Sequence, residues 1–195
     1  MAEITFGQVC RSKRGEDFCG DAVLIHSFER IKRLCVIDGL GHGLEAQLAA
    51  QAAQAALSVE ERLLPKLIQS CHRKLIGTRG AVIGIVDLDL EKKLWRGIAV
   101  GNISIAFYGK DHFTPFSNGG IAGYSLPSSL ASWSRPYSEG QILIVNSDGI
   151  GPLTDLAKLL SPDGGLGLTA AQDLAESIAM KYGKIEDDQA ILVAK

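Results

Sequence analysis

Aspartates in this sequence of 195 residues stand where apolar runs begin or end. Asp21 directly precedes the run AVLIH, and Asp38 directly follows the run LCVI. If these runs pair as an antiparallel hairpin across their short connection, both carboxylates lie at the same end of the sheet. The later half repeats the arrangement, since Asp148 follows the run ILIVNS and the pair Asp187 and Asp188 precedes QAILVA. The pattern therefore predicts carboxylates gathered at one sheet edge.

Such carboxylates would need a partner charge. Carboxylates within a few ångströms repel one another, which raises their pKa values unless a cation offsets the charge. Oxygen ligands suit Mg²⁺ or Mn²⁺, and no Cys or His cluster has the spacing of a zinc site. Asp38 and Asp148 are each followed by glycine, and the carbonyl of Gly39 is a further candidate ligand because glycine lets the backbone approach an ion closely. The alternative is that each aspartate only shapes a turn or caps a helix.

The elements that would position these aspartates are groups of strands mixed with groups of helices. Apolar segments predict strands at 4–10, 22–26, 34–37, 141–145 and 189–194. Helix-forming segments predict helices at 44–57, 58–75, 152–160 and 169–182. The second of these helices is predicted to begin at a capping box formed by Ser58 and Glu61. Runs within 81–110 predict an antiparallel meander, and the order of elements favours an α+β layered fold.

Length and composition restrict the class of protein. A chain of 195 residues suits one domain spanning 1–195, and a 46% share of apolar residues argues against wholesale disorder. A net charge of -2 argues against binding to nucleic acid. No apolar run is long enough to cross a bilayer and no secretory signal is recognised, so we expect a cytoplasmic protein without a membrane partner. The four cysteines form no C-x-x-C pair and are expected to be free, mostly buried thiols.

Other enzyme chemistries lack their sequence signatures. No cysteine is followed six positions later by arginine, which excludes the phosphate loop of a cysteine phosphatase. Neither G-x-S-x-G nor G-x-x-x-x-G-K-[ST] occurs. The stretch 38–43 could be read as a dinucleotide-binding loop, but its glycines are too closely spaced and the predicted fold does not alternate strands and helices.

Together these motifs resemble the PPM family of metal-dependent serine/threonine phosphatases, and within it the branch similar to sporulation stage II E. The matching residues, in the family's order, are Gly20-Asp21, Asp38-Gly39-Leu40-Gly41-His42-Gly43, Asn102, Asn118-Gly119-Gly120, Ser147-Asp148-Gly149 and Asp187-Asp188. The resemblance covers nearly the whole chain. It implies an αββα sandwich of two antiparallel sheets flanked by helices, with a site for two Mn²⁺ or Mg²⁺ ions at one end of the sheets.

The same resemblance implies roles for individual residues. Asp38 is implied to bridge both ions and to be the central catalytic residue, with the carbonyl of Gly39 beside it. Asp21 is then implied to bind one ion, and Asp148 and Asp187 to bind the other. The two ions would activate a water that attacks phosphorus directly, with no phosphoenzyme intermediate.

Five further residues are candidates for secondary roles. Neighbouring side chains on an extended segment point to opposite faces, so only one residue of the terminal Asp-Asp pair is expected to bind metal. The family pattern selects the first and leaves Asp188 to support it. His42 is a candidate supporting residue, although two residues separate it from the Asp-Gly pair that a histidine follows directly in eukaryotic members. Arg11, Lys13 and Arg14, which come before Asp21, are candidates for binding the substrate phosphate.

Within the family, a short chain without a sensory part is most similar to the phosphatases of the bacterial stressosome. The implied substrates are phosphoserine and phosphothreonine on STAS-domain scaffold proteins. The Gly- and Ser-rich stretch 111–139 is predicted to be mostly loop and to form the surface that selects the protein substrate. Two other hypotheses stay open: a catalytically inactive phosphatase-like module that only binds a partner, and a dinucleotide-binding protein.

Overall fold

The computed structural model describes residues 4–160 and 169–195, which form two β-sheets and the helices that cover them. The strands are β1 (Phe6–Arg11), β2 (Asp21–Phe28), β3 (Ile31–Gly39), β4 (Ala81–Asp89), β5 (Leu94–Val100), β6 (Ser104–Tyr108), β7 (Trp133–Pro136), β8 (Ile142–Asn146) and β9 (Gln189–Ala194). The helices are α1 (Leu44–Leu57), α2 (Leu64–Leu75), α3 (Leu156–Leu159) and α4 (Ala171–Tyr182). No helix in these two ranges is long and apolar enough to span a membrane.

Both sheets are antiparallel. Within the described residues, a four-stranded sheet has the order β1-β9-β8-β6, and a five-stranded sheet has the order β2-β3-β4-β5-β7. Buried side chains of the two sheets, such as Val36, Trp95, Phe107 and Leu192, form one cluster between them. Helices α1 and α2 cover the outer face of the five-stranded sheet, while α3 and α4 cover the four-stranded sheet. The predicted αββα sandwich of the α+β class is therefore confirmed.

Helix α1 packs closely against the five-stranded sheet because its inner face is made of small side chains. Five of its six buried residues are alanines, with Leu57 as the sixth. Alanine is the strongest helix former and keeps the helix axis near the sheet. Gly39, at the end of β3, shows how close this approach is, since a Cβ added there would stand 2.2 Å from the Ala46 carbonyl oxygen. The end of β3 is thus fixed against α1.

The predicted meander over 81–110 is wrong in one respect. Strands β4 and β5 pair as expected, with Ile83 opposite Val100, but β6 pairs with β8 in the other sheet. The chain crosses between the sheets after Gly101, whose φ of +85° is a conformation that glycine adopts without strain. The crossing is a backbone feature that strand periodicity does not reveal.

Three other boundaries differ from the predicted ones. The second helix begins at Leu64 instead of Ser58, and the Glu61 side chain accepts the Leu63 N–H at 2.8 Å instead of serving a capping box. Pro65 lies in the first turn, where its missing N–H removes no helical hydrogen bond. The helix predicted over 152–160 is reduced to α3, and the predicted loop 111–139 contains β7.

A buried ion pair ties the five-stranded sheet to the connection between α1 and α2. Arg33 on β3 and Asp87 on β4 lie opposite each other, and both side chains are 0% exposed. Arg33 donates to both carboxylate oxygens of Asp87, at 2.8 and 2.9 Å. It also donates to the carbonyls of Leu57, Val59 and Glu61 at 2.6–3.3 Å. One guanidinium therefore satisfies backbone carbonyls at the end of α1 and in the connection that follows it.

Candidate active site

The predicted pairing of the aspartate-bearing strands is present in both sheets. Asp21 and Asp38 are opposite each other in the β2–β3 register. Strands β8 and β9 are antiparallel neighbours, so Asp148, just after β8, lies at the same end as Asp187, just before β9. The antiparallel pairing that the sequence analysis considered is therefore confirmed for both pairs of strands.

The two sheet ends meet at one cavity of about 420 Å³. Asp38 from the five-stranded sheet lines it together with Asp148 and Asp187 from the four-stranded sheet. Apolar residues complete part of the wall: Leu40, Val82 and Ile121. Three of the four carboxylates predicted to bind metal therefore share one open cavity.

Asp21 lies beside this cavity and is more deeply buried. It is 6% exposed, and its carboxylate accepts a hydrogen bond from Ser147 Oγ at 2.6 Å. Ser147 Oγ in turn accepts the Ala190 N–H at 3.0 Å, which fixes the hydroxyl between β9 and Asp21. Burial, followed by repulsion from Asp38, raises the pKa of Asp21 to about 9. The fourth carboxylate is thus held in place next to the other three.

The carboxylates affect one another electrostatically. Burial, followed by repulsion from Asp148 and then Asp187, raises the pKa of Asp38 to about 7. Burial and repulsion from Asp148 likewise raise the pKa of Asp187. Negative charges at the end of the four-stranded sheet therefore act on Asp38, and Asp38 in turn acts on Asp21, so it has the central position in the group.

The donor set fits a hard divalent cation that keeps part of its water shell. Among residues 4–160 and 169–195, no three His, Cys, Asp or Glu side chains form a group that could hold a metal ion by themselves. Mg²⁺ does not require such a cage, because it retains several waters and is held by one or two carboxylates. Carboxylates from Asp38, Asp148 and Asp187 around an open cavity meet that requirement, and a cation there would relieve their repulsion.

The glycines of the two Asp-Gly pairs are explained by close backbone packing. A Cβ on Gly149 would stand 1.7 Å from the Asp188 carbonyl oxygen, and Gly39 meets α1 in the same way. Neither pair forms a hairpin turn, since Gly39 ends β3 before α1 and Gly149 follows β8. The hairpin-turn alternative therefore does not apply to them, while metal binding by the Gly39 carbonyl stays a prediction.

The adjacent residues Asp187 and Asp188 have different surroundings. Asp188 is 3% exposed, and its two oxygens accept the N–H groups of Lys13 at 2.9 Å and Gly20 at 2.8 Å. Asp187 lines the cavity, and its carboxylate accepts the N–H of Asp188 at 3.0 Å. Asp188 therefore anchors the loop before β2, which leaves Asp187 as the candidate ligand.

Separate substitutions should distinguish the two aspartates. We expect Asp187→Asn to weaken Mn²⁺ binding more than Asp188→Asn, which should cost at most about 10 to 100-fold because it acts through a supporting contact. Asp188→Asn should instead lower the free energy of unfolding by about 1–3 kcal/mol, since one N–H loses its acceptor. Calorimetric titration with Mn²⁺ and urea unfolding of both variants check this. A larger loss of affinity in Asp188→Asn would reverse the assignment.

The candidate phosphate-binding and supporting residues are dispersed. Arg11 forms an ion pair with Glu176 of α4, and Arg14 donates its backbone N–H to Ile185 at 3.1 Å. Lys13, from the same loop, lines the cavity. His42 also lines the cavity, with its Nδ1 2.8 Å from Glu16 Oε1. Of the three basic residues that the sequence argument named for this role, Lys13 lines the cavity and the two arginines do not.

Asn102 is a site residue to which the sequence analysis gave no role. Its Nδ2 donates to Asp148 Oδ2 at 2.8 Å, and the residue lines the cavity. It follows Gly101 at the crossing between the two sheets, which explains why its position depends on the tertiary fold. Asn102 is one of the residues that match the family motifs, and this match could have suggested a role for it.

Comparison with known proteins shows that this chain is similar to phosphatases. No family model matches the chain. The sequence is 24% identical over 147 residues to the phosphoserine phosphatase RsbX of Bacillus subtilis (strain 168), and the match covers 71% of each chain.

Solved structures share the fold over nearly the whole chain. One of these structures is described as the bacterial stressosome, a modular system adapted to control secondary messenger signalling. It is 37% identical in sequence with a TM-score of 0.88, and the match covers 99% of this chain and 100% of that chain. The crystal structure of RsbX in complex with magnesium is 20% identical with a TM-score of 0.83, and covers 100% of this chain and 96% of the other.

A further match gives the name of the fold family. The PP2C phosphatase domain of SpoIIE from Bacillus subtilis, solved with a fragment of its regulatory domain, is 20% identical with a TM-score of 0.75 and covers 99% of this chain and 63% of that one. PP2C-type phosphatases are the PPM enzymes to which the sequence motifs pointed. The motifs, the sequence similarity and the shared fold together support a PPM-family phosphatase close to RsbX.

Proposed function

We propose that the chain is a Mn²⁺- or Mg²⁺-dependent phosphatase that removes phosphate from serine and threonine of stressosome STAS-domain proteins in the cytoplasm. The observation that carries this proposal is the shared cavity in which burial, followed by repulsion from Asp148 and Asp187, raises the pKa of Asp38. Two bound ions would offset these charges and supply an activated water for direct attack on phosphorus.

The residues that would hold the ions come from both sheets. Asp38 would contact both ions, since it is the carboxylate on which the others act. Asp21 and the Gly39 carbonyl would complete one side, and Asp148 and Asp187 the other. This division follows the sheets, because the first group lies on β2 and β3 and the second next to β8 and β9.

Neighbouring side chains would keep these ligands in place. Ser147 donates to Asp21, and Asn102 donates to Asp148. Each bond occupies one carboxylate oxygen and leaves lone pairs on the other oxygen for a cation. The serine and the asparagine are therefore expected to orient the ligands without binding metal themselves.

Lys13 provides positive charge where the substrate phosphate would enter. It lines the cavity, and its backbone N–H is fixed by Asp188. An ammonium group attracts a phosphate as a point charge, and this attraction is strongest at low ionic strength. We therefore assign the phosphate-attracting role to Lys13 in place of Arg11, which is paired with Glu176.

The similar proteins support the choice of substrate. The relative from Bacillus subtilis is named a phosphoserine phosphatase, and the 37% identical structure is described as a stressosome. The open cavity of about 420 Å³ can admit a phosphoserine side chain that projects from a folded protein. These observations favour a phosphorylated stressosome protein over a free phosphate ester.

The test is phosphate release from a STAS-domain protein phosphorylated on serine or threonine. We expect release in Mn²⁺ and its loss in a chelator, with restoration when Mn²⁺ is added back. Asp38→Asn serves as the control for contaminating phosphatases. Binding of the phosphoprotein with no release in Mn²⁺ would instead identify an inactive module that only binds its partner.

The segment 111–139 offers a test of how a protein substrate is selected. Tyr124 in this segment is 82% exposed, and its neighbour Ile121 lines the cavity. Exposed tyrosines often dominate binding energy at protein interfaces. We expect Tyr124→Ala to lower kcat/KM for the phosphoprotein by about 5 to 30-fold, equivalent to about 1–2 kcal/mol, and to leave turnover of p-nitrophenyl phosphate unchanged.

A matched control for this substitution is Met180→Ala on α4. Met180 is 81% exposed, so its substitution by alanine removes a similar exposed apolar side chain. It belongs to α4, which covers the four-stranded sheet. It should leave both activities unchanged. Equal losses on the phosphoprotein and the small ester in Tyr124→Ala would rule out a docking role for this residue.

A further inference from the structure

Two cysteines nine positions apart meet at the edge of the candidate site. Cys10 Sγ on β1 lies 3.5 Å from Cys19 Sγ in the loop before β2. Cys35 and Cys71 are buried as the sequence predicted, but Cys10 is exposed and Cys19 is partly exposed. The expectation of mostly buried thiols is therefore wrong for Cys10, which lies on the edge strand of the four-stranded sheet.

Small molecules can reach both sulfurs. Cys10 and Cys19 line one open cavity of about 460 Å³, together with Asp21 and polar residues of α1. A disulfide bond is about 2.05 Å long, so the sulfurs have to approach by about 1.5 Å, which side-chain rotation can provide. The contact of Cys10 Sγ with the Asp21 carbonyl oxygen, at 3.3 Å, would be given up.

We propose that Cys10 and Cys19 are a modification site that a peroxide converts to an intramolecular disulfide. The Cys10 sulfur attacks one oxygen of the peroxide, the O–O bond breaks, and a sulfenic acid forms with loss of water or alcohol. The Cys19 sulfur then attacks the Cys10 sulfur, the S–O bond breaks, and water leaves with the remaining thiol proton. The two thiols lose two electrons in total, and the peroxide gains them.

The disulfide would change the loop that carries Lys13. Residues 12–20 connect β1 of the four-stranded sheet to β2 of the five-stranded sheet, and a bond between Cys10 and Cys19 would enclose 11–18. Closing it with a covalent bond reduces the number of conformations open to it. The oxidised protein therefore holds its loop more rigidly than the reduced protein, whereas thiol reductants restore the original state.

Peptide mapping tests the bond directly. The reduced, metal-free protein is treated with hydrogen peroxide, free thiols are alkylated, and the protein is digested with trypsin. Cleavage after Arg11 and Arg14 places the two cysteines in separate peptides, 1–11 and 15–30. We expect these peptides to be joined after oxidation and separated by a reductant, while Cys35 and Cys71 remain thiols that are alkylated only after unfolding.

Two variants and a second measurement complete the test. Cys10→Ser and Cys19→Ser should each abolish the joined peptide. Amide exchange in 12–18 should slow at least severalfold in the oxidised protein and stay unchanged in peroxide-treated Cys19→Ser. Sulfinic acid on separate peptides, or Cys10 joined to Cys10 of a second molecule, would overturn the proposal. A joined peptide without slower exchange would overturn the effect on the loop.

Discussion

Asp38→Asn is expected to lower phosphate release by more than about 100-fold, because loss of a residue that only supports a metal ligand already costs about 10 to 100-fold. Asparagine keeps the size of the side chain but removes its charge and one acceptor oxygen. Asp38 is the carboxylate on which Asp148 and Asp187 act across the cavity. The measurement is phosphate release in saturating Mn²⁺, and turnover at the wild-type rate would contradict the role.

The same substitution should not destabilise the metal-free protein. The pKa of Asp38 is raised to about 7 by burial and by its acidic neighbours, so the fold favours the neutral carboxyl. This stabilisation is complete below the ordinary pKa of about 4 and is lost as the pH rises through about 7. Metal-free Asp38→Asn should therefore unfold at a higher temperature than the wild type at pH 8, with a smaller difference at pH 5.

A neighbouring acid provides the control for charge alone. Glu186 also lines the cavity but is exposed, and it was not selected as a ligand. Glu186→Gln removes the same charge as Asp38→Asn and should leave turnover within a few-fold of the wild type. A loss as large as that of Asp38→Asn would indicate that the net charge of the cavity matters more than the position of one carboxylate.

The largest expected effect on stability belongs to Arg33→Met. This change leaves the carboxylate of Asp87 buried without a partner and removes the donor of three backbone carbonyls. Breaking a buried ion pair by removing one member costs about 3–5 kcal/mol. Urea unfolding of the metal-free protein should show a loss of that size, with a secondary loss of metal affinity, since β3 carries Asp38.

Two comparisons distinguish the buried pair from an ordinary ion pair. The exposed pair of Arg62 and Glu29 serves as the control, and Arg62→Met should cost less than about 1 kcal/mol. The double variant Arg33→Met, Asp87→Leu should be more stable than Arg33→Met alone, because no buried charge remains without a partner. A loss below about 1 kcal/mol in Arg33→Met would contradict the account of this contact.

Local features of the sequence were enough to predict how the aspartates are brought together. The short connection between β2 and β3 favours antiparallel pairing, and this places Asp21 opposite Asp38. Residues 44–57 form the predicted helix because alanine, glutamine and leucine all favour it. Strand β9 has the predicted bounds since every residue from Gln189 to Ala194 is buried.

Features that depend on distant contacts were not predicted. The position of Asn102 depends on the crossing after Gly101, and Lys13 is held by Asp188 from the other end of the chain. Asp87 inside an apolar run was a readable signal of a buried charge, but Arg33 stood just before the predicted strand 34–37. Two of the partner carbonyls lie in a segment predicted to be helical. The contact between Cys10 and Cys19 depends on where β1 and the following loop meet, which no spacing rule describes.

Anomalous diffraction from crystals grown in Mn²⁺ tests the central claim most directly, because it locates the ions without assuming any substrate. The account predicts two peaks about 3.5–4 Å apart, as in other two-metal sites, with an Asp38 oxygen between them. Asp148 and Asp187 should contact one peak, and Asp21 and the Gly39 carbonyl the other. No peak in the cavity, or peaks that do not contact Asp38, would contradict the account.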